Sequence, residues 1–203
     1  MVRDVLYIAL GYLFGSILFA KVFCSLLKKT DVTENTDDKN PGTYNAFHNG
    51  GFLCGALTLC GDLLKGFLPV FLYLRGNKDQ PTMALALVMA APVIGHVFSV
   101  FSGFSGGKGI AATFGCLLGL LPWNISVIYF ALIFIFFSVV LRITPHYYRT
   151  VLTYLCMEAA LLLLHGNICV TAGFTLILIS VGIRMLTSKE EKGPIGVKLL
   201  WMR

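Results

Sequence analysis

The chain has 203 residues, of which 57% are hydrophobic and 13% are charged, and its mean hydropathy is +0.80. Because soluble domains carry about 25% charged residues, this composition excludes an ordinary soluble protein and predicts an integral membrane protein. The net charge of +6 is not arranged as a basic stripe with interleaved aromatic residues. This argues against nucleic-acid binding and favours contact with anionic lipid headgroups.

Apolar segments follow one another along the chain, and each is a candidate for a spanning helix, which needs about 20 residues. The seven segments are 4–27, 52–74, 82–101, 109–122, 124–141, 150–165 and 168–186. The first is too long for the core of a signal peptide and lacks a small-residue cleavage site, so we expect it to be retained. All six cysteines lie in these segments without a C-x-x-C pair, which predicts buried free thiols. The sequence predicts an all-α, polytopic membrane protein of about seven helices, some of them short, in one domain over residues 1–203.

Lysine and arginine residues are distributed unevenly between the connecting segments. With the N-terminus outside, the segments predicted to be cytoplasmic hold eleven of them and the external segments hold three. An excess of this kind is typical of cytoplasmic loops. We therefore expect the polar segments 28–51, 102–108 and 142–149 and the basic C-terminal tail to meet on the cytoplasmic face.

The loop 28–51 is the only long polar connection, and from residue 36 it reads TDDKNPGTYNAFHNGG. Asn-Pro-Gly-Thr marks a turn, because proline fixes φ and glycine tolerates positive φ. Side-chain donors and acceptors crowd this turn, namely Asn40, Thr43, Asn45, His48 and Asn49. An ordinary hydrophilic turn and a polar binding loop both fit this pattern.

The stretch GDLLKG at residues 61–66 places two charges within a predicted spanning helix. Asp62 and Lys65 are three residues apart, so they share a helix face and can pair. A charge near the bilayer centre costs about 2.5–3.5 kcal/mol on insertion scales, so two charges require mutual neutralisation or a polar cavity. A structural ion pair and the polar wall of a headgroup pocket are the two alternatives.

The stretch GHVFSVFSGFSGGKG at residues 95–109 combines a histidine with a glycine-rich loop and a lysine. A P-loop needs a glycine five residues before the Gly-Lys pair and Ser or Thr after it, and Ser102 and Gly109 occupy those places. A nucleotide site of that class is excluded. Lys108 directly precedes a predicted helix, whose free N–H groups and dipole favour an anion, so we expect a phosphate site here. For His96 a packing role is the alternative.

Several catalytic signatures are missing from the sequence. It contains no H-E-x-x-H or H-x-x-E-H zinc motif, no G-x-S-x-G motif, and no histidine with an aspartate five positions later. The acyltransferases that use an H-x₄-D pair are thereby excluded. The chemistry is expected to proceed without an obvious protein nucleophile.

Five motifs in order resemble the bacterial acyl-phosphate-dependent glycerol-3-phosphate acyltransferases, the PlsY family. They are G-Y-L-x-G-S (11–16), N-P-G-T-x-N (40–45), GDLLKG (61–66), G-H (95–96) and F-x-G-G-K-G (104–109). The resemblance implies a multi-pass enzyme of the bacterial cytoplasmic membrane, with its N-terminus outside and its active-site loops and C-terminus in the cytoplasm. It implies acyl transfer from acyl phosphate to the 1-position of glycerol 3-phosphate, giving lysophosphatidate and phosphate, without metal, coenzyme A or another cofactor.

The resemblance also implies roles for individual side chains. Lys108 would hold a phosphate, His96 would take part in hydrogen bonding or proton transfer, and Asn45 would position the acceptor. Binding of the substrates and their phosphates would further involve Asn40, Gly42, Thr43, His48, Gly106, Gly107 and Gly109. Asp62 and Lys65 would shape the pocket, and the acyl chain would lie in a lipid-facing groove.

The chain departs from the family pattern at several presumed site positions. Asp38 stands where the family's first loop has a serine, and His48, a mostly neutral imidazole, stands where it has an arginine. Arg184 and Thr187 replace the usual H-x-x-N of the last helix. One hypothesis is that Arg149 or Arg184 supplies the lost charge. Three interpretations stay open: an active enzyme with a rearranged phosphate site, a paralogue with another acceptor, and a non-catalytic membrane partner of lipid synthesis.

Overall fold

The computed structural model describes residues 1–27, 31–34, 36, 40–76, 82–165, 167–188 and 193–200. Within these residues the chain forms eight α-helices: α1 Val2–Gly15, α2 Phe19–Leu26, α3 Thr43–Arg75, α4 Ala84–Val97, α5 Ile110–Leu118, α6 Ser126–Ile135, α7 His146–Ala160 and α8 Ile168–Thr187. A 3₁₀ turn and two π-helical turns cover Val100–Ser102, Phe136–Val140 and Leu161–His165. Two strands, β1 Leu141–Thr144 and β2 Gly196–Leu199, pair antiparallel from Leu141 opposite Leu199 to Thr144 opposite Gly196.

The expected membrane-embedded helical architecture is confirmed, whereas the count of seven spans is not. Among the described residues, four helices are long and apolar enough to cross a membrane, namely Thr43–Arg75, Ala84–Ser102, His146–Leu164 and Ile168–Thr187. The pair α1 and α2, bent by 45°, makes a fifth if it is one span. The other two predicted segments are helical but short, because α5 ends after nine residues and Ser126–Val140 falls below the length of a span. The expectation of buried thiols is wrong for Cys60, whose side chain is exposed on α3.

Helices α1 and α4 approach each other closely through glycine. A Cβ atom on Gly15 would overlap with the backbone of Pro92, and one on Gly95 would overlap with the carbonyl oxygen of Tyr12. Small residues allow membrane helices to pack at short range, where van der Waals contact replaces the hydrophobic effect. The Tyr12 hydroxyl also donates to the carbonyl oxygen of Phe98 over 3.0 Å. The glycines of two of the sequence motifs are thus required by helix packing.

The break between α1 and α2 is stabilised by side chains of other helices. Ser99 Oγ donates to the carbonyl oxygen of Ser16 over 2.6 Å, and Lys65 Nζ donates to that of Ile17 over 2.7 Å. Backbone groups without a partner are costly in a hydrocarbon environment, so a broken helix needs such donors. The lysine of the GDLLKG motif therefore fixes the path of the N-terminal segment.

The polar segments gather at one end of the helix bundle. The described parts of the first loop, the glycine-lysine loop, β1, the start of α7 and the chain around Gly193 all border one cavity there. At the opposite end, Arg3 donates to the carbonyl oxygens of Tyr73 and Gly76 over 2.6 and 2.7 Å. The two ends thus differ, and the expected convergence of polar segments is observed within the described residues.

Candidate active site

The polar end of the bundle encloses a cavity of about 960 Å³. One part of its wall is apolar and includes Leu59, Ile110, Phe114 and Phe134. The polar side chains that line it are Thr36, Asn40, Thr43, Tyr44, Asn45, His48, Asp62, His96, Lys108, Thr144, His146 and Arg149. All three side chains predicted to be catalytic are therefore in one cavity. A mixed wall of this kind suits a ligand with a polar head and an apolar tail.

A buried charged cluster forms the floor of the cavity. Lys65 Nζ lies 2.8 Å from Asp62 Oδ1, and both side chains are almost fully buried. His96 Nδ1 lies 3.6 Å from the same carboxylate oxygen. Asp62 and His96 line the cavity, whereas Lys65 points away from it toward α1 and the ring of Phe19. Lys65 thus contributes to the site only through Asp62.

The two glycines before Lys108 pack directly on His96. The Gly107 N–H donates to the carbonyl oxygen of His96 over 3.0 Å. A Cβ atom on Gly106 would overlap with this carbonyl oxygen, and one on Gly107 would overlap with Nε2 of the imidazole. Neither glycine lines the cavity. They are needed so that the loop can lie against the histidine, which is a packing requirement that the phosphate interpretation did not include.

Lys108 and Gly109 follow at the start of α5, and both border the cavity. The Lys108 side chain is only 6% exposed, and Gly109 has a left-handed backbone with φ of 80°. Arg184 Nη2 at the end of α8 donates to the carbonyl oxygen of Gly106 over 2.7 Å. Arg184 therefore supports the loop from behind.

The start of α3 and the residues before it form a second wall. Asn45 Nδ2 donates to the carbonyl oxygen of Asn40 over 2.8 Å, and both side chains are buried. Gly42 precedes α3 in an extended conformation, and a Cβ atom there would lie 2.8 Å from Asn40 Nδ2. His48 lines the cavity but is exposed, and its ring stacks on Tyr44. Asp38, which was singled out as a departure from the family pattern, lies outside the described residues.

The start of α7 contributes a pair that the sequence analysis largely missed. Arg149 Nη2 lies 2.6 Å from His146 Nδ1, and both side chains line the cavity. Arg149 was named only as a hypothetical replacement for a lost charge, and His146 was not named at all. The available signal was their i, i+3 spacing directly after Pro145, which places both on one face of a starting helix. Of the two arginines considered, Arg149 reaches the cavity and Arg184 does not.

A second, apolar groove of about 550 Å³ runs beside α6 and ends at Cys156 of α7. Its other described lining residues are Leu132, Ile133, Ile135, Phe136, Phe137 and Val140. Phe134 of the same helix borders the polar cavity. Helix α6 therefore borders both recesses. Among the described residues, no group of three His, Cys, Asp or Glu side chains is arranged to hold a metal ion.

The chain is similar to proteins of one family over most of its length. A family model described as glycerol-3-phosphate acyltransferase matches residues 5–189. A protein of that name from Endomicrobium trichonymphae is 37% identical over 138 residues, which are 67% of this chain and 68% of that protein. One from Bordetella avium (strain 197N) is 37% identical over 118 residues, 58% of this chain and 55% of that protein. The chain spans about half the length of several further curated relatives that it matches.

Solved structures show the same architecture. The crystal structure of PlsY (YgiH), an integral membrane glycerol 3-phosphate acyltransferase, in its glycerol 3-phosphate form superimposes with a TM-score of 0.76 at 25% identity. The match covers 90% of this chain and 88% of that one. The lysophosphatidic acid form gives a TM-score of 0.74 at 24% identity, with 90% and 87% coverage.

Proposed function

This chain belongs to the glycerol-3-phosphate acyltransferase family, and we propose that it transfers an acyl group from acyl phosphate to the 1-hydroxyl of glycerol 3-phosphate. The products are lysophosphatidate and inorganic phosphate. One observation carries the proposal: a single cavity holds Lys108 and Arg149 as cations beside His96, Asn45 and an apolar wall. Two phosphorylated substrates, of which one carries an acyl chain, require this combination.

The reaction needs no nucleophile from the protein. The oxygen of the acceptor hydroxyl forms a bond to the acyl carbonyl carbon, and the bond from that carbon to the phosphate oxygen breaks. Phosphate leaves with the bonding electron pair. The proton of the hydroxyl is assigned to His96, which lines the cavity and whose Nδ1 lies 3.6 Å from Asp62 Oδ1. Because acyl phosphate has a good leaving group, holding both substrates in line and stabilising the developing charge account for the rate.

Lys108 is assigned to a phosphate, because its charge is buried at the N-terminus of α5, where the backbone also favours an anion. Asn45 fixes the carbonyl of Asn40 and thereby the polar wall that positions the acceptor. Gly42 and Thr43 belong to the same wall, and Gly109 continues the phosphate loop. Gly106 and Gly107 act by letting this loop lie on His96. Asp62 and Lys65 hold the imidazole side of the cavity in place.

The acyl chain of the donor is assigned to the apolar side of the cavity and to the groove beside α6. Phe114 and Phe134 lead from the Lys108 end of the cavity toward α6, whose other residues line the groove. A chain in this position stays in contact with lipid while its phosphate reaches Lys108. The bilayer is thus the source of the donor in this proposal.

The proposed enzyme is a single domain of the bacterial cytoplasmic membrane with its cavity facing the cytoplasm. Among described residues of the loops and helix ends, five cations lie at the cavity end, namely Lys108, Arg142, Arg149, Arg184 and Lys198. Two lie at the other end, namely Arg3 and Arg75. This distribution supports the orientation, since cytoplasmic loops carry an excess of Lys and Arg. Of the cations in the sequence count, Lys28, Lys29, Lys39, Lys189, Lys192 and Arg203 of the predicted cytoplasmic side and Lys78 of the predicted external side lie outside the described residues.

The decisive test measures phosphate release by the purified protein in detergent from palmitoyl phosphate, with and without glycerol 3-phosphate. We expect release that depends on the acceptor, and a loss of about 100-fold or more in Lys108→Ala, which is the effect of removing a buried charge-stabilising donor. Lys198→Ala is the matched control, because Lys198 is exposed on β2. A folded wild-type protein that releases no phosphate with glycerol 3-phosphate, but does so with another acceptor, would overturn the assigned substrate. If a folded wild-type protein releases no phosphate with any acceptor, the non-catalytic interpretation is the one that stands.

A further inference from the structure

The cavity contains a second cationic site that no sequence motif of the family accounts for. Arg149 and His146 line the cavity from the start of α7, whereas Lys108 lines it from the start of α5. Two phosphates must be held at once if the proposed reaction takes place in this cavity. A single lysine cannot neutralise both, because each phosphate carries a charge of about −1.5 to −2 near pH 7.

We propose that Arg149, oriented by His146, binds the phosphate of glycerol 3-phosphate and determines the specificity for the acceptor, while Lys108 binds the phosphate of the acyl donor. This inference rests on the proposed function. Arg149 would then take the role of the arginine that the first-loop pattern of the family places where this chain has His48. The guanidinium group suits this role because its planar fork matches phosphate oxygens in a two-point contact.

The lining around the two cations determines which phosphate each one takes. The described residues that follow Lys108 along the cavity wall are mostly apolar, namely Ile110, Ala111 and Phe114. An acyl chain can continue along these residues from a phosphate bound at Lys108. Before Arg149 along the chain, Thr144, Pro145 and His146 also line the cavity, and Thr144 is exposed. This is the side where a small, water-soluble substrate enters.

His146 fixes the direction of the guanidinium group. Arg149 Nη2 donates to His146 Nδ1 over 2.6 Å, so the imidazole that accepts this bond carries its proton on Nε2. The two residues lie on the same face of α7, one turn apart, and the backbone of His146 follows directly on Pro145, which precedes the helix. His146 is a positioning residue in this proposal, because it acts on the phosphate through the arginine.

The other candidates for a replacement charge do not fit as well. Arg184 donates to the carbonyl oxygen of Gly106 and does not line the cavity. His48 lines the cavity but is exposed, and its Nδ1 lies 3.0 Å from Asn49 Oδ1. Arg149 is half-buried, so its charge is less screened by water than that of an exposed residue.

Steady-state kinetics of Arg149→Gln, with glycerol 3-phosphate and palmitoyl phosphate varied in turn, test the proposal. We expect the KM for glycerol 3-phosphate to rise about 10-fold or more, as for loss of a charged hydrogen bond, and the KM for palmitoyl phosphate to change less than 3-fold. Arg149→Lys should restore part of the affinity because it keeps the charge. Arg75→Gln, which removes an exposed arginine at the opposite end, is the matched control and should leave both constants unchanged.

The role of His146 has its own signature. His146→Ala should raise the KM for glycerol 3-phosphate several-fold, whereas His146→Asn, whose amide oxygen can still accept from Arg149, should restore much of it. A purely structural role would not give this rescue, and it would not separate the two substrates. An unchanged KM for the acceptor in Arg149→Gln, or an equal rise for both substrates, would overturn the proposal.

Binding separates a failure of this inference from a failure of the proposed function. Glycerol 3-phosphate should raise the Tm of the wild-type protein in detergent, and Arg149→Gln, if it elutes as a folded monodisperse species, should lose this shift. A wild type that shows the shift without turnover would contradict the proposed reaction and leave the anion site standing. Turnover with a shift that survives in Arg149→Gln and Arg149→Lys would contradict the anion site alone.

Discussion

The cavity has two walls that differ in how firmly their side chains are held. Asp62 lies within α3, His96 at the end of α4 and Lys108 just before α5, and they are 1%, 3% and 6% exposed. The opposite wall includes His48, which is exposed, and Arg149, which is half-buried at the start of α7. We call the wall with Asp62, His96 and Lys108 the helical wall and the wall with His48 and Arg149 the loop wall. None of the departures from the family pattern within the described residues falls on these three side chains of the helical wall, although Arg184 bonds to the carbonyl oxygen of Gly106 behind Lys108.

This difference has a physical reason. The helical wall is packed so closely that two glycines touch His96 and a lysine bound to another helix neutralises Asp62. In an interior with this density, a changed side chain forces its neighbours to move. The loop wall borders water, where a charge can be supplied from a neighbouring segment without repacking. Sequence change in the site is therefore expected to concentrate on the loop wall.

The largest effect is expected from Asp62→Ala. The substitution leaves the Lys65 ammonium buried without its carboxylate, and breaking a buried pair in this way costs about 3–5 kcal/mol. Thermal unfolding in detergent should show a much lower Tm or no folded protein. Asp31→Ala is the control, because Asp31 is exposed and its carboxyl accepts hydrogen bonds from the N–H and hydroxyl of Thr33, which lower its pKa. A Tm of Asp62→Ala close to that of the wild type would show that Lys65 does not need this carboxylate.

A smaller but still large effect is expected from Gly107→Ala. The added Cβ atom overlaps with Nε2 of His96, so either the imidazole or the Lys108 loop must shift. A displacement of about 1 Å in an active site can reduce activity about 100-fold, and we expect a loss of this size in acceptor-dependent phosphate release. Gly182→Ala is a matched control, since a Cβ atom there meets nothing within 4 Å. An active Gly107→Ala protein would show that the helical wall tolerates change as the loop wall does.

An intermediate effect is expected from Arg184→Gln. The variant loses the charged hydrogen bond to the carbonyl oxygen of Gly106, so the loop that carries Lys108 is held less firmly. We expect kcat to fall about 10-fold, as for loss of one charged hydrogen bond, with a smaller change in either KM. Thr187→Ala, which alters an exposed hydroxyl bonded to its own helix, should behave like the wild type. A selective rise in the KM for glycerol 3-phosphate would instead assign Arg184 to the acceptor site.

The smallest effect is expected at His48. Both His48→Ala and His48→Arg should stay within about 5-fold of the wild type in kcat/KM, because an exposed side chain contributes about 1 kcal/mol or less through its charge. The measurement is the same phosphate-release assay at limiting glycerol 3-phosphate. A gain of 50-fold or more in His48→Arg, well beyond this limit of about 5-fold, would mean that the first loop still provides the main phosphate site and that Arg149 does not replace it.

The sequence predicted the helical wall better than the loop wall. His96, Lys108 and Asn45 lie on separate elements, and the order of the motifs in the sequence was enough to predict that they share one site. All three line the same cavity. We expected Lys65 to shape the pocket, but it donates to the carbonyl oxygen of Ile17. The break in the first span leaves this oxygen in need of a hydrogen-bond donor from another segment. His146 was missed because it lies in none of the five motifs, and its i, i+3 spacing to Arg149 becomes informative only once both side chains are known to line the cavity.

Hydropathy did not predict the number of membrane spans or the antiparallel pair of β1 and β2. Residues 109–122 are apolar enough for a helix, but α5 ends at Leu118 and the chain turns before Pro122. The strands β1 and β2 have only four residues each, and such short runs cannot be assigned by periodicity. Both features depend on contacts with other parts of the chain.

The break between α1 and α2 constrains the order in which the helices can insert into the membrane. The carbonyl oxygens of Ser16 and Ile17 accept hydrogen bonds from Ser99 and Lys65. Both donors are synthesised after the first segment has left the ribosomal exit tunnel. Until then the bent segment carries backbone groups that hydrocarbon cannot satisfy. We therefore expect the N-terminal segment to wait at the translocon or at the membrane interface, and to reach its final depth only when α3 and α4 have been inserted beside it.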